Sequence, residues 1–136
     1  MSDLGSNKQL VKDFLKALGN YDLEALSTVL AENVVFNIPN SGSFPDRIML
    51  AELPMVTGML AAVCPEGIYF KILELTAEAD RVSARVEGRG AMQEGEYHNH
   101  YHFLFRISGR KIVETFEYMD SLLVEQTFGP MLSQNA

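Results

Sequence analysis

The chain has 136 residues, 47% hydrophobic and 21% charged, which is enough to bury one core and too little for two ordinary domains, and it excludes a disordered or fibrous polypeptide. Eighteen acidic against eleven basic residues give a formal charge of −7 with no basic run, which argues against nucleic acid and anionic membrane as partners. A single cysteine, Cys64, rules out an internal disulfide.

In chain order, Leu10, Val11, Phe14, Leu15 and Leu18 recur at helical spacing between Lys8 and Leu18, opposite Lys8, Lys12 and Lys16. Gly19 and Asn20 suit a helix C-terminus, and Asp22 caps a second helix expected to reach about Glu32. Val34 to Phe36 form a short strand, ended by Asn37, Pro39 and the polar stretch to Ser43. Between Asp46 and Val63 the residues are apolar nearly all round. This predicts a buried third helix, either kinked at Pro54 or beginning there.

Four strand-like segments follow, at about 68–77, 81–92, 95–107 and 111–120, joined by short turn signals at Ala79-Asp80, Glu94-Gly95 and Ser108-Gly109-Arg110. They predict an antiparallel meander, and Gln134 to Ala136 a frayed tail. Helices first and strands last mean an α+β layer rather than alternating β-α-β units. The whole chain, 1–136, reads as one domain with an ordered core of about 8–129. No window approaches the roughly 18 apolar residues of a membrane span. The polar start, Met1 to Lys8, lacks the basic and apolar regions of a secretory signal, so a cytoplasmic location is the expectation.

Three segments carry a family resemblance: LKALGNYDLEALSTVLAENVVFNIP over Leu15 to Pro39, the strand Tyr97 to Phe103, and Gly109 to Val113 leading into Phe116 to Asp120. Over residues 8 to 129 the chain resembles the nuclear-transport-factor-two superfamily, in its ketosteroid-isomerase-like and SnoaL-like branches. The resemblance implies a cone-shaped curved antiparallel sheet wrapped around three N-terminal helices. It also implies a cavity open at one end and a homodimer through the outer sheet face. The fold hosts isomerases, cyclases, dehydratases, epoxide hydrolases and silent binders, so chemistry has to come from individual residues.

Strand alternation places Tyr97, Asn99, Tyr101, Phe103 and Phe105 on one face of 97–107, the face the family turns inward, and His98, His100 and His102 on the other. The positions matching ketosteroid isomerase's base, helical tyrosine and protonated aspartic acid are Ile38, Phe14 and Phe103. None can carry a proton, so isomerisation by that mechanism is not expected. A limonene-epoxide-hydrolase-like resemblance instead matches Arg85, Glu87 and Glu117 to an arginine between two carboxylates, and Asn37 to a water-holding asparagine. Departures are Glu where those enzymes have Asp, and Val35 where they have tyrosine.

One guanidinium between two buried carboxylates would leave one ionised as a base and the other protonated as an acid. Arg85, Glu87 and Glu117 are therefore the candidate catalytic set, against the plainer possibility of a structural ion-pair network. Asn37, Tyr97, Asn99, Tyr101, Phe103, Phe14 and Met59 are the candidate substrate-binding residues, though apolar helical residues such as Met59 are commonly just core. Three histidines at alternate positions span roughly 13 Å, too far for one ion. Two of them could share a metal with a carboxylate such as Glu74 or Glu114, but the reading adopted is a polar outer face or dimer contact, with no metal. The expected activity is cofactor-independent acid-base chemistry on a small apolar or polycyclic molecule, or else noncatalytic binding of one.

Overall fold

A computed structural model describes residues 3–134. The first helix, α1 (Leu4–Gly19), starts four residues earlier than its apolar periodicity suggests, because Asp3 accepts the Ser6 N–H and serves as N-cap. Helix α2 (Leu23–Val29) is capped by Asp22 as expected, and it gives way at Leu30 to an extended backbone. The following strand, β1 (Leu30–Asn37), is thus longer than its β-branched centre, and it shifts register between Leu30 and Val35.

A three-residue strand, β2 (Arg47–Met49), and a 3-10 turn (Leu50–Glu52) precede α3 (Leu53–Val63), with Pro54 in the first turn, where its missing N–H costs nothing. The four long strands are β3 (Tyr69–Glu78), β4 (Arg81–Ala91), β5 (Glu96–Ser108) and β6 (Lys111–Met119). The last hairpin turns through Gly109 and Arg110, whose φ of 58° and 62° are the left-handed pair a two-residue hairpin requires. A final helix, α4 (Ser121–Gln134), was not expected. Asp120 Oδ1 accepts the Leu123 N–H at its start, and Gln134 belongs to it, while the remainder of the anticipated tail lies outside the described residues.

The strands form one sheet in the order β2-β1-β6-β5-β4-β3. Every pairing is antiparallel except β1 with β6, which run parallel, so the curved sheet is mixed. Its inner face packs on α1, where Phe14 meets Phe36 and Phe105 with ring centroids 6.0 and 5.5 Å apart and Val11 and Leu15 are buried. The end of α1 docks on the start of β3. Ile68 N–H donates to Gly19 O at 3.0 Å, and a Cβ on Gly19 would stand 2.1 Å from Ile68 O, so no side chain fits there.

Candidate functional site

The inner sheet face and the helices do not meet everywhere; they leave a cavity of about 60 Å³. From the sheet it is lined by Phe36 and Ile38 of β1, Tyr97 and Tyr101 of β5, and Glu117 and Met119 of β6. Phe14 and Leu18 of α1 and Leu53, Val56 and Leu60 of α3 form the walls, with Phe70 of β3 at one end. Helix α4 closes it with Val124 and Phe128, and Phe44 from the 39–46 loop meets Phe128 edge to face at 6.1 Å. That loop is tied down by Ser43, whose N–H and hydroxyl both donate to the Glu125 carboxylate.

Among the described residues Glu117 is the only carboxyl in this lining. Register explains its place: Glu117 pairs with Phe103 and Met119 with Tyr101, and paired residues of an antiparallel ladder share a face. Although half-buried by surface area, Glu117 lies among groups that cannot replace its hydration, and this desolvation pushes its pKa up to about 7. Near neutral pH it is present in both protonation states.

Across the cavity floor, the Tyr97 and Tyr101 hydroxyls lie 2.5 Å apart. Asn99 fixes how they are used. Its Oδ1 accepts the backbone N–H groups of His100 at 2.7 Å and Asp120 at 3.1 Å, so its amide nitrogen must face Tyr97 Oη at 3.0 Å and Asp120 O at 3.2 Å. Tyr97 Oη is therefore an acceptor for Asn99. One hydroxyl proton spans the gap between the tyrosines, which leaves the other free to donate elsewhere.

Burial pushes the Tyr97 pKa up to about 12 and raises that of Tyr101 well above its ordinary value, with the Glu117 charge adding to both. Both tyrosines stay protonated and act as donors. Gly88 makes room for this arrangement, since a Cβ there would stand 2.8 Å from Tyr101 Cε2 and 3.2 Å from Phe70 Cε1.

The anticipated residues separate into three groups. Phe14, Tyr97, Tyr101 and Glu117 line the cavity. Asn99 stands behind the tyrosines, Phe103 stacks on Tyr101 at 5.5 Å, and Met59 is buried outside the lining. Arg85, Glu87 and Asn37 are on the opposite face.

On β4 the inward residues are Val82, Ala84, Val86, Gly88 and Gly90, so Arg85 and Glu87 point out. Arg85 Nε pairs with Glu74 at 2.6 Å, with over half its side-chain surface exposed, and Glu87 lies beside His98 and His100. Asn37 donates to Thr115 O at 3.0 Å, fastening β1 to β6. The arginine flanked by two carboxylates is thus not assembled: one carboxyl is inside, and the guanidinium and the other carboxyl are outside.

Cys64 is fully buried, with its thiol pKa raised by burial, and Tyr21 donates to its carbonyl at 2.7 Å. This is an inert packing residue.

Residues 11–115 match the sequence profile of the SnoaL-like domain. The chain belongs to the SnoaL-like family. The matched stretch takes in both tyrosines and stops two residues before Glu117. No curated protein matches the sequence significantly.

Among solved structures, this SnoaL-like protein is similar to Bal32a from a soil-derived mobile gene cassette, at 13% identity over 93% of this chain and 99% of that one, with a TM-score of 0.80. It is similar to IdmH of Streptomyces antibioticus, a candidate polyketide cyclase, at 17% identity over 90% and 98% of the two chains, with a TM-score of 0.74. It is also similar to a LEH-like epoxide hydrolase of M. tuberculosis, at 17% identity over 95% and 93%, with a TM-score of 0.72. At these identities the likeness establishes the SnoaL-like fold. Among the described residues no helix is long and apolar enough to cross a membrane.

Proposed function

We propose that the cavity takes a small, mostly apolar carbonyl compound and that Glu117 moves a proton next to its carbonyl while the Tyr97–Tyr101 pair holds the oxygen. The observation that carries this reading is a lone carboxyl, its pKa raised to about 7, in the lining of an otherwise apolar cavity beside two linked hydroxyls. A base with that pKa is ionised often enough at neutral pH to accept a proton and basic enough to do so usefully. The free hydroxyl proton of the pair supplies a hydrogen bond to the enolate oxygen that forms, a contact stronger in the transition state than in the ground state. Enolisation of this kind underlies both isomerisation and carbon–carbon cyclisation, the latter in keeping with the candidate cyclase assignment of IdmH.

Epoxide hydration is the weaker reading, because the charged partners it calls for, Arg85 and Glu87, lie on the far face of β4. Cavity size limits the substrate. Some 60 Å³ holds about four waters or a ligand of similar bulk, well short of the roughly 300–1,000 Å³ of a drug-sized site. A polycyclic molecule would have to displace lining side chains such as Leu60 or Phe44. A homodimer through the outer sheet face, where Tyr118 is exposed, belongs to the same reading, and sedimentation equilibrium tests it.

The functional test is α-proton exchange of the small ketones acetone and butanone in D₂O, followed by NMR from pH 5 to 9. Exchange should rise through about pH 7 and vanish in Glu117→Gln. Saturable binding without exchange would mark a noncatalytic binder of small neutral ligands, and absence of both would overturn the proposal.

A further inference from the structure

The outer face of the sheet carries a second group of chemically able side chains. Strand parity puts His98, His100 and His102 there, and the β4–β5 register sets Glu87 opposite His100 and one step along from His98. Glu87 Oε1 is 3.6 Å from His98 Nε2 and 3.7 Å from His100 Nδ1, and the three donor atoms all lie within 4.8 Å of one another. These separations are too long for hydrogen bonds. The two carboxylate–imidazole separations are close to the spacing that ligands of one ion adopt, since two donors about 2.1 Å from a common tetrahedral metal stand roughly 3.4 Å apart. The carboxylate is therefore near ligand spacing from each imidazole, and the two imidazole nitrogens, within 4.8 Å of each other, have only to close on a common ion.

Two further features separate this cluster from an ordinary surface network. His98 Nε2 is buried and, among the described residues, has no hydrogen-bond partner, a state a native structure rarely leaves unexplained. The neighbouring guanidiniums are taken, Arg89 by Glu96 at 2.7 Å and Arg85 by Glu74 at 2.6 Å. Among the described residues, no lysine or arginine pairs with Glu87. His102 is also committed, with its Nε2 2.6 Å from Ser83 Oγ. The carboxylates named from sequence, Glu74 and Glu114, are held by Arg85 and Arg106.

We infer that Glu87, His98 and His100 form a binding site for a divalent transition metal of borderline softness, Zn²⁺ or a close relative, that clips β4 to β5. Two imidazoles and a carboxylate suit such an ion and do not suit Mg²⁺ or Ca²⁺, which require mostly oxygen ligands. In the single chain His100 is the most exposed of the three, with 70% of its side-chain surface accessible, which leaves a coordination position for water or a further ligand. The site is independent of the cavity, which lies on the other side of the sheet.

The test is titration of the full chain, prepared without a polyhistidine tag, with ZnCl₂ by calorimetry and with CoCl₂ by its visible d–d absorption, using MgCl₂ for comparison. The expected result is one Zn²⁺ per chain, a tetrahedral Co²⁺ spectrum, a higher melting temperature with Zn²⁺, and no response to Mg²⁺. Glu87→Gln, His98→Ala and His100→Ala should each weaken Zn²⁺ binding by roughly 100-fold, since losing a ligand costs at least as much as losing its outer support. His100→Ala alters the most exposed of these side chains and so keeps the test sound if His98→Ala folds poorly. His102→Ala should bind like the parent. No saturable Zn²⁺ binding, binding indifferent to the three substitutions, or an equal loss in His102→Ala would overturn the assignment.

Discussion

Replacing Glu117 by glutamine removes one ionisation and preserves shape, so its effect on stability can be worked out in advance. In the folded protein the carboxyl titrates near 7, against an ordinary value of 4.5 when unfolded. Below pH 4.5 both states are protonated, and the wild type retains whatever stability the neutral carboxyl gives. Between 4.5 and about 7 the folded state binds the extra proton, so stability falls as pH rises, and the loss levels off once the folded group has ionised. At about 1.4 kcal/mol per pKa unit the full loss is about 3 kcal/mol, an upper figure because the residue retains some solvent contact.

The glutamine variant carries no such penalty. Urea unfolding at a series of pH values should find the two proteins within about 0.5 kcal/mol at pH 4, a difference of that size being ordinary for a neutral substitution. The variant should gain on the wild type through pH 6 and be more stable by up to about 3 kcal/mol at pH 8.5. A difference that does not change with pH, or a variant less stable at high pH, would refute the claim that burial destabilises this carboxylate.

Tyr101→Phe deletes one hydroxyl of the pair and should lower ketone exchange by roughly 100-fold while leaving the fold intact, as loss of a preorganised oxyanion donor does; NMR exchange rates and a melting curve check both halves. Gly88→Ala drives a methyl toward Tyr101 and Phe70 and should destabilise the protein by about 1–3 kcal/mol. A structure of that variant should show the Tyr101 ring displaced. Asn99→Leu strands the His100 and Asp120 N–H groups and frees Tyr97 from its amide donor. Chemical denaturation should register a loss of about 2–4 kcal/mol.

The inward face of β5 was legible because its alternation is clean: Tyr97, Asn99, Tyr101, Phe103 and Phe105 against three histidines. The same reasoning applied to β4 would have turned Arg85 and Glu87 outward, since Val82, Ala84, Val86 and Gly88 hold the apolar parity. The family pattern that pairs these two residues in the interior conflicts with that alternation. Glu117 was recoverable only in part. Its parity on β6 is blurred by the register shift between Arg106 and Ile107, and its neighbours Phe116 and Tyr118 are themselves aromatic on the outward side.

Helix α4 escaped notice because Gly129 and Pro130 interrupt its apolar pattern, although Asp120 before Ser121-Leu122-Leu123-Val124 is an N-terminal signal. The helix matters to the site, since Val124 and Phe128 close the cavity. Cavity size had no sequence signal at all, because it depends on how closely the helices settle on the curve of the sheet.

The proton-transfer account rests on the ionisation of a single group, and ¹³C NMR of the Glu117 side-chain carboxyl, assigned by difference against Glu117→Gln and followed from pH 3 to 9, measures it directly. A midpoint at about 7 is the predicted result. A midpoint near 4.5 would show a hydrated, ordinary carboxylate and would contradict the account.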